Sequence, residues 1–214
     1  MSIRGYRKRP GHSSRRQGRT ELTRALLIQS AKKIFARDGF EAAKLEEIAA
    51  DAGYTRGAFY ANFKNKEDLF FALLEREVSS RIEKVRSKMD KFQDPAAKLK
   101  ALRTFFLDMC LDRRWSLLAL EFKLFAVRHP QVKARLAAMN RRFVSSRVSI
   151  LHNVMEGLGR HLPASANAVG ISLATLTNGL TLEHMLDRTV MPEDDVKKIM
   201  ANFFDSLTGA KGLT

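Results

Sequence analysis

A short segment between residues 44 and 66 carries side chains suited to hydrogen bonding with the bases and phosphates of double-stranded DNA. Arg56 could bond a guanine edge through two N–H groups, and the adjacent Thr55 could meet a thymine methyl group or a phosphate. Gly57 has no side chain, so the backbone there could approach a duplex closely. The donors that follow would project toward a phosphate strand. The predicted DNA-binding residues are Thr55, Arg56 and Gly57 at the bases, Tyr60, Asn62 and Lys66 at phosphate, and Lys44 and Tyr54 beside them.

Positioning these side chains requires a helix, a sharp turn and a second short helix. Apolar residues recur at helical spacing over residues 45–52, and Gly53 then interrupts the pattern where a positive φ suits a tight turn. Thr55 is a good N-cap for the next helix, in which Phe59 and Phe63 share one face. This order is typical of the helix-turn-helix, whose second helix enters the major groove of DNA. The alternative is a helical hairpin in a purely structural bundle.

The distribution of charge also suggests a polyanionic partner. The chain carries a formal charge of +15, and residues 1–19 hold seven Arg or Lys and no acid. Residues 1–18 are rich in Gly, Pro, Ser and Arg, so they are predicted to form a flexible basic N-terminal arm. Nucleic acid is the commonest partner of such a chain, and a solubilising tail is the alternative.

Composition and periodicity predict an all-α fold. Hydrophobic residues make up 45% of the 214 residues, while 12 Gly and 5 Pro leave little material for the turns of a β-rich fold. A first helix is predicted from about Thr20 to Asp38, before the stop at Gly39. The later helices are predicted over residues 65–90, 95–112, 114–127, 130–157, 165–187 and 192–208.

The segment from Gly39 to Phe70 resembles the DNA-binding domain of the tetracycline-repressor (TetR) family of transcriptional regulators. One departure is Ala43, which stands where the family usually has Thr, and Lys44 would supply the contact instead. The resemblance rests on the spacing of Ile48, Ala49, Ala52, Gly53, Thr55, Gly57, Tyr60, Phe63, Lys66 and Leu69.

The resemblance implies a three-helix helix-turn-helix domain over residues 19–70. A long fourth helix would join it to an all-helical effector and dimerisation domain over residues 71–214. The last two helices, 165–187 and 192–208, would pair with their copies in a homodimer. The implied function is a ligand-responsive transcriptional regulator that binds a palindromic operator, with repression favoured. A monomer in which helix 165–187 is simply buried is the alternative.

For a small-molecule effector the sequence predicts an apolar or aromatic compound and no enzyme cofactor. Thr175, Asn178 and His152 could supply polar anchors. The alternative is that the apolar candidates are ordinary core residues. These candidates are Phe105, Met109, Trp115, Leu118, Phe122, Phe125 and Phe143.

The residues that enzymes use are not arranged for catalysis. The five His have neither metal-binding spacing nor an evident nucleophile partner, and Gly157 and Gly159 follow a helix rather than a strand. Cys110 is the only cysteine, which excludes an internal disulfide and fits a reducing cytoplasm. No stretch is predicted to span a membrane. Two rival functions remain: a basic architectural protein that binds DNA without sequence preference, and a helical enzyme or lipid-handling bundle.

Overall fold

The computed structural model describes residues 12–109 and 112–209, and the side chains of residues 12–16 and 144–147 lie outside its described part. Within these ranges every regular element is an α-helix, which confirms the all-α prediction. The helices are α1 His12–Ala42, α2 Leu45–Asp51, α3 Arg56–Tyr60, α4 Lys66–Met89, α5 Pro95–Met109, α6 Arg113–Arg128, α7 Pro130–Gly157, α8 Ala166–Leu186 and α9 Glu193–Thr208.

Helix α1 differs from its prediction at the N-terminal end. It begins at His12, eight residues before the predicted start at Thr20, so residues 12–18 are helical rather than part of a flexible arm. Arg and Gln are good helix formers, and Gly18 lowers helix stability by only about 1 kcal/mol relative to Ala, which is not enough to end a helix. The flexible arm is predicted because this segment has few apolar residues to bury. A helix that is exposed to solvent does not require such burial. Residues 1–11 of the predicted arm, like Cys110, lie outside the described residues.

The predicted stop at Gly39 is confirmed by the backbone. Gly39 has φ 79° and ψ 171°, which separates the main part of α1 from a last short turn that ends at Ala42. A side chain rarely adopts such a positive φ, so glycine is required at this position.

The chain forms two compact units that divide between Leu73 and Leu74. In the N-terminal unit, three buried aromatic rings meet: the Phe35 and Phe40 centroids are 5.7 Å apart, Phe35 and Phe70 are 5.3 Å apart, and Phe40 and Phe70 are 5.1 Å apart. These rings come from α1 and from the start of α4, so they tie the two helices together. The short helices α2 and α3 add Ile48 and Phe59, each with 0% exposed area.

The C-terminal unit has a core built from five helices. Helix α9 also faces α5 and α8 through Val196 and Met200, which are both 0% exposed. Arg103 of α5 donates to Asp205 of α9 through Nε at 2.7 Å and Nη2 at 2.9 Å. The main core residues are Val85, Met89, Leu99, Leu151, Val154, Met155, Val169, Leu173 and Phe204.

Several predicted helix ends are confirmed by their capping bonds. Asn65 Oδ1 accepts from the Asp68 amide at 2.8 Å, and Asp94 Oδ2 accepts from the Ala97 amide at 2.9 Å. Gly157 is the last residue of α7, which confirms the interpretation of that glycine pair as a helix terminus. None of the helices in the described ranges is both long enough and apolar enough to cross a bilayer.

Candidate nucleic-acid interface

Helix α3 is only five residues long, and its start is set by a turn and a cap. Gly53 has φ 78°, and the amide of Tyr54 donates to the Ala49 carbonyl at 2.8 Å across the turn. Thr55 then caps α3, since its Oγ1 accepts from the Ala58 amide at 3.3 Å. This bond uses a lone pair of the hydroxyl and leaves its hydrogen available to a partner outside the protein.

Arg24 of α1 contacts the residues that follow the C-terminal end of α3. The Arg24 guanidinium lies 4.1 Å from the centroid of the Phe63 ring, and its Nη1 donates to the Asn62 carbonyl at 2.7 Å. Phe59 and Phe63 are 0% and 2% exposed, as their shared helical face predicted. No signal in the sequence points to Arg24, because its partners Asn62 and Phe63 lie 38 and 39 residues away along the chain.

Asn62 occupies a different role from the predicted phosphate contact. Its side chain is half-buried, and Nδ2 donates to the Ala58 carbonyl at 2.8 Å, which satisfies a carbonyl of α3. Its Oδ1 is buried without a hydrogen-bond partner. The amide therefore closes the end of the helix instead of projecting outward. Helical spacing alone could not distinguish these two directions.

The outer surface of α3 is polar and solvent-exposed. Thr55, Arg56, Gly57 and Tyr60 are all exposed, with Tyr60 at 47%. A Cβ atom on Gly57 would meet only Thr55 Oγ1, at 3.7 Å, which is an ordinary contact. Packing within the protein therefore does not require glycine at this position. Close approach of an external partner to the backbone at Gly57 would explain why this position is glycine.

Arg56 has two partners on this surface. Its Nη1 lies 3.0 Å from Oε1 of Glu46 on α2, and its Nη2 donates to the Tyr60 hydroxyl at 3.5 Å. The Tyr60 hydrogen bond and then the charge of Glu46 raise the pKa of Arg56 above its ordinary value, so the guanidinium stays charged. The side chain of Arg56 is nevertheless 63% exposed and can reach an external acceptor.

Lys44 precedes α2 in the chain, and Tyr54 lies in the turn that follows it. Lys44 is exposed and stands at the N-cap of α2 with extended backbone, although its side chain makes no capping bond. Tyr54 is half-buried between α2 and α3. Both positions remain predictions as DNA contacts.

Lys66 is placed differently from the predicted phosphate contact. Its Nζ donates to the Glu41 carbonyl at 2.7 Å and to the Ala43 carbonyl at 3.2 Å, and it lies 5.0 Å from the centroid of the Phe40 ring. Burial lowers the pKa of this amine from its ordinary value. Because the amine bonds the backbone between α1 and α2, it links the start of α4 to that connection. A long flexible side chain can reach inward as easily as outward, which spacing does not reveal.

Helix α2 is fixed to α1 by polar contacts that the sequence did not predict. Ser30 is 4% exposed, and its Oγ lies 2.9 Å from the Ile48 carbonyl and 2.8 Å from Asp51 Oδ2. The Lys33 amine also bonds Asp51. The hydrogen bond from Lys33 and then that from Ser30 lower the pKa of Asp51, so this carboxylate remains ionised.

The predicted effector residues are dispersed over the C-terminal unit. Phe122 is 1% exposed and stacks on Phe125 with their centroids 6.1 Å apart, and Phe125 stacks on His129 at 3.9 Å. Phe105 packs on the main core beneath the Lys88 amine, which lies 5.5 Å from its ring centroid. Met109 and Phe143 are half-buried, and Leu118 is buried. These positions remain predictions as effector contacts.

The three predicted polar anchors differ in exposure, and two of them lie on exposed surfaces. The buried side of α8 carries Val169, Leu173, Thr177, Thr181 and His184. Thr175 and Asn178 lie outside that helical face, and Thr175 is exposed. The side chain of His152 is 66% exposed. The prediction of Thr175 and His152 as internal anchors is corrected on that ground, whereas half-buried Asn178 remains a prediction.

Arg81 of α4 is a polar group near the effector candidates that the sequence did not single out. Its Nη2 donates to Asp112 Oδ2 at 2.7 Å, and its guanidinium lies 4.9 Å from the centroid of the Trp115 ring. Its Nε is buried and has no hydrogen-bond partner. An unpaired buried N–H costs about 1–3 kcal/mol, so an acceptor at this position would stabilise the unit.

Two family models match the chain. A model described as "Bacterial regulatory proteins, tetR family" matches residues 27–73. A model described as "BetI-type transcriptional repressor, C-terminal" matches residues 95–209, which is more than half of the chain. The first match contains the turn and helix α3, and both models describe regulators rather than enzymes.

Known proteins show the same likeness in sequence and in fold. The HTH-type transcriptional activator FasR of Mycolicibacterium smegmatis is 30% identical over 131 residues, covering 60% of this chain and 59% of that protein. The chain thus spans less than two thirds of the length of the curated relatives that it matches first.

Two solved structures share the fold over almost their full length. The fatty acid degradation regulator FadR of Bacillus halodurans superposes with a TM-score of 0.68 at 18% identity, covering 94% of this chain and 97% of that chain. FadR of Bacillus subtilis, solved with stearoyl-CoA, gives a TM-score of 0.65 at 16% identity, covering 87% and 98%.

The contacts of Lys66 predict a structural role that can be measured. Replacing Lys66 with Ala should lower the free energy of unfolding of the N-terminal unit by about 1–2 kcal/mol, because two carbonyls lose a charged donor. Hydrogen exchange of the α1–α3 amides measures this free energy in the full chain. Lys44→Ala is the matched control and should change it by less than about 0.5 kcal/mol, since Lys44 is exposed. Equal effects of the two substitutions would contradict the assignment.

Proposed function

The chain belongs to the tetR family of bacterial regulatory proteins, and from that premise we propose that it is a ligand-responsive transcriptional regulator. It binds an operator with inverted-repeat symmetry as a homodimer. Repression is the proposed direction, because the model that matches the larger part of the chain describes a repressor. FasR, by contrast, is named as an activator.

The observation that carries the DNA-binding proposal is the exposed polar face of α3 on a buried aromatic support. Arg56 and Thr55 stand at the start of α3, where a helix in the major groove meets base edges. Arg56 reads a guanine, while Tyr60 and Lys44 contact the phosphates. Lys66 and Asn62 rank below these residues as contacts, because Lys66 uses two of its three N–H groups within the protein and Asn62 uses one of its two.

The outward face of α8 supports the homodimer. Ile171 is 56% exposed and Leu186 is 72% exposed, and Met185 and Leu182 lie on the same side of the helix. Exposed apolar side chains grouped on one side of a helix are typical of a protein interface, and Thr175 and Asn178 add polar groups to the same side of α8. Together with α9, this face pairs with its own copy about a two-fold axis. Two copies of α3 about 34–36 Å apart then read the two halves of the operator.

For the effector we propose an apolar compound that carries an acceptor oxygen, bound beside Trp115 and Arg81. The buried Nε–H of Arg81 supports this class, since a carbonyl or carboxylate oxygen would supply its missing partner. Long-chain acyl compounds are the first class to test, because a protein of the same fold was solved with stearoyl-CoA.

Helix α4 supplies the proposed connection between effector and operator. It spans Lys66–Met89, so one continuous helix begins in the N-terminal unit and ends in the C-terminal unit. The effector binds better to a conformation in which α4 is tilted, and the tilt changes the separation of the two α3 helices. Differential affinity for the two conformations is essential, since a ligand that binds both equally shifts nothing.

Selection of bound sites from random DNA tests the central proposal. The protein should recover an inverted repeat, and Arg56→Ala should lose discrimination worth about 1–3 kcal/mol at one base position in each half-site. Lys44→Ala serves as the control, because the loss of a proposed phosphate contact should weaken binding on all sequences and preserve the base preference. Recovery of no common sequence would favour the architectural alternative, and a uniform loss of affinity by Arg56→Ala would make Arg56 a phosphate contact.

Two glycines of α8 test the dimer. Gly170 and Gly179 both have open space within one protomer where a Cβ would stand, and they lie about two and a half turns apart, on opposite sides of the helix. Each substitution to Ala should stabilise the helix by about 1 kcal/mol. Gly179→Ala alone should weaken the dimer, by about tenfold or more, because its methyl group enters the interface. Sedimentation at several concentrations measures the dissociation constant, and equal constants for the two variants would contradict the proposed face.

A titration of the operator complex with stearoyl-CoA and with the free fatty acid tests the effector. One of these should weaken operator affinity by about 5–150-fold, the range of typical allosteric coupling. Arg81→Lys should reduce this response, because it removes the Nε–H donor. Arg86→Lys is the control, since Arg86 is an exposed arginine of the same helix. Tight binding of an acyl compound with unchanged operator affinity would show that the coupling is absent.

A further inference from the structure

Two adjacent acids in the first turn of α2 form ion pairs with arginines of different helices. Glu46 Oε1 lies 3.0 Å from Nη1 of Arg56 on α3. Glu47 Oε1 lies 2.5 Å from Nη2 of Arg37 on α1. Both acids are near the positive end of the α2 dipole, so the dipole does not distinguish them. Their arginine partners distinguish Glu46 from Glu47, because only Arg56 lies at the start of the helix that is proposed to read bases.

The pairing of Glu46 matters because an unpaired arginine near DNA is not selective. A guanidinium bonds phosphate on any sequence, and each such contact adds about 0.9 to the slope of log affinity against log salt concentration. This contact strengthens non-specific binding. A carboxylate that already neutralises the guanidinium removes most of the affinity that such a phosphate contact would add.

Glu46 opposes a phosphate contact of Arg56 more than a guanine contact, because its negative charge repels an anionic phosphate and does not repel a neutral base edge. The O6 and N7 atoms of guanine accept two parallel N–H bonds from one guanidinium, and this geometry is specific to that base. Arg56 is 63% exposed and is held by Glu46 through a single nitrogen, so it can turn to such an edge when one is present. The Tyr60 hydroxyl, 3.5 Å from Nη2, keeps the guanidinium over the outer face of α3 meanwhile.

We propose that Glu46 is a specificity-determining residue that acts through Arg56. Its negative carboxylate disfavours contacts of Arg56 with anionic phosphates on non-operator DNA, and it leaves Arg56 able to turn to a neutral guanine edge. Glu46 thereby lowers affinity for all DNA and lowers it most for the wrong sequences. This inference rests on the proposed function, in which Arg56 reads a base.

The test compares Glu46→Gln with Glu47→Gln in the full chain. Each variant removes one negative charge from the same turn of α2, so general electrostatics should affect both in the same direction. Affinity is measured on the selected operator and on a random duplex over a series of salt concentrations. Glu46→Gln should bind the random duplex about two- to fivefold more tightly relative to the operator, the range set by a surface ion pair. Its salt slope on the random duplex should steepen by up to about 0.9. Glu47→Gln should leave the operator-to-random ratio unchanged.

A double mutant separates the proposed role from a structural one. In the Arg56→Ala background, Glu46→Gln should no longer change the operator-to-random ratio, because the residue through which it acts is gone. A persistent effect in that background, or equal effects of Glu46→Gln and Glu47→Gln, would overturn the inference. A wild-type protein that prefers no sequence would overturn the proposed function and the inference with it. A selective wild type whose ratio is unaffected by Glu46→Gln would overturn the inference alone.

Discussion

The burial of the Phe59 side chain of α3 is the interaction on which the surface proposed to bind DNA depends. A helix of five residues cannot form in water by itself, because nucleation costs more than so few hydrogen bonds return. The side chain of Phe59 is 0% exposed, and its burial stabilises the unit by about 1.5–3 kcal/mol relative to an exposed ring. The Thr55 cap and the Arg24 bond to the Asn62 carbonyl then satisfy backbone groups at the two ends. The exposed side chains of α3 are therefore presented by a buried and hydrogen-bonded support.

This support divides the polar residues of the segment into two groups. Asn62, Lys66 and Ser30 place their polar atoms against backbone atoms inside the unit, since backbone groups near a core need partners. Arg56 and Tyr60 bond to each other on the surface and remain exposed. A segment this short has few positions, so each inward polar residue reduces the number available to DNA. The surface proposed to recognise DNA is therefore small, so the ion pair of Arg56 with Glu46 weighs heavily in the proposed selectivity.

The sequence predicts the helices well because caps and glycines are local signals. Asn65 and Asp94 each accept the amide three residues later, and Gly39 and Gly53 adopt the positive φ that only glycine tolerates easily. Side-chain direction is not local in this sense. The Lys66 amine meets carbonyls more than 20 residues away, and Arg81 meets Asp112 31 residues away. Such contacts depend on how the helices pack against each other. The spacing of residues along a single sequence does not predict that packing.

The N-terminal end of α6 shows how such non-local contacts join several helices of the C-terminal unit. Asp112 bonds Arg81 of α4, and the next residue, Arg113, lies 2.8 Å from His184 Nε2 of α8 and 3.5 Å from Glu193 of α9. Because His184 Nδ1 lies 2.8 Å from the Met191 carbonyl, which can only accept, Nδ1 carries the proton and Nε2 accepts from Arg113. Two consecutive residues at the start of α6 thus bond the helix proposed to transmit the effector signal and the two helices proposed to form the dimer. An effector oxygen that accepted from Arg81 Nε and shifted the guanidinium would act first on Asp112, the N-cap of α6. The shift would therefore reach the junction that α4, α6, α8 and α9 share.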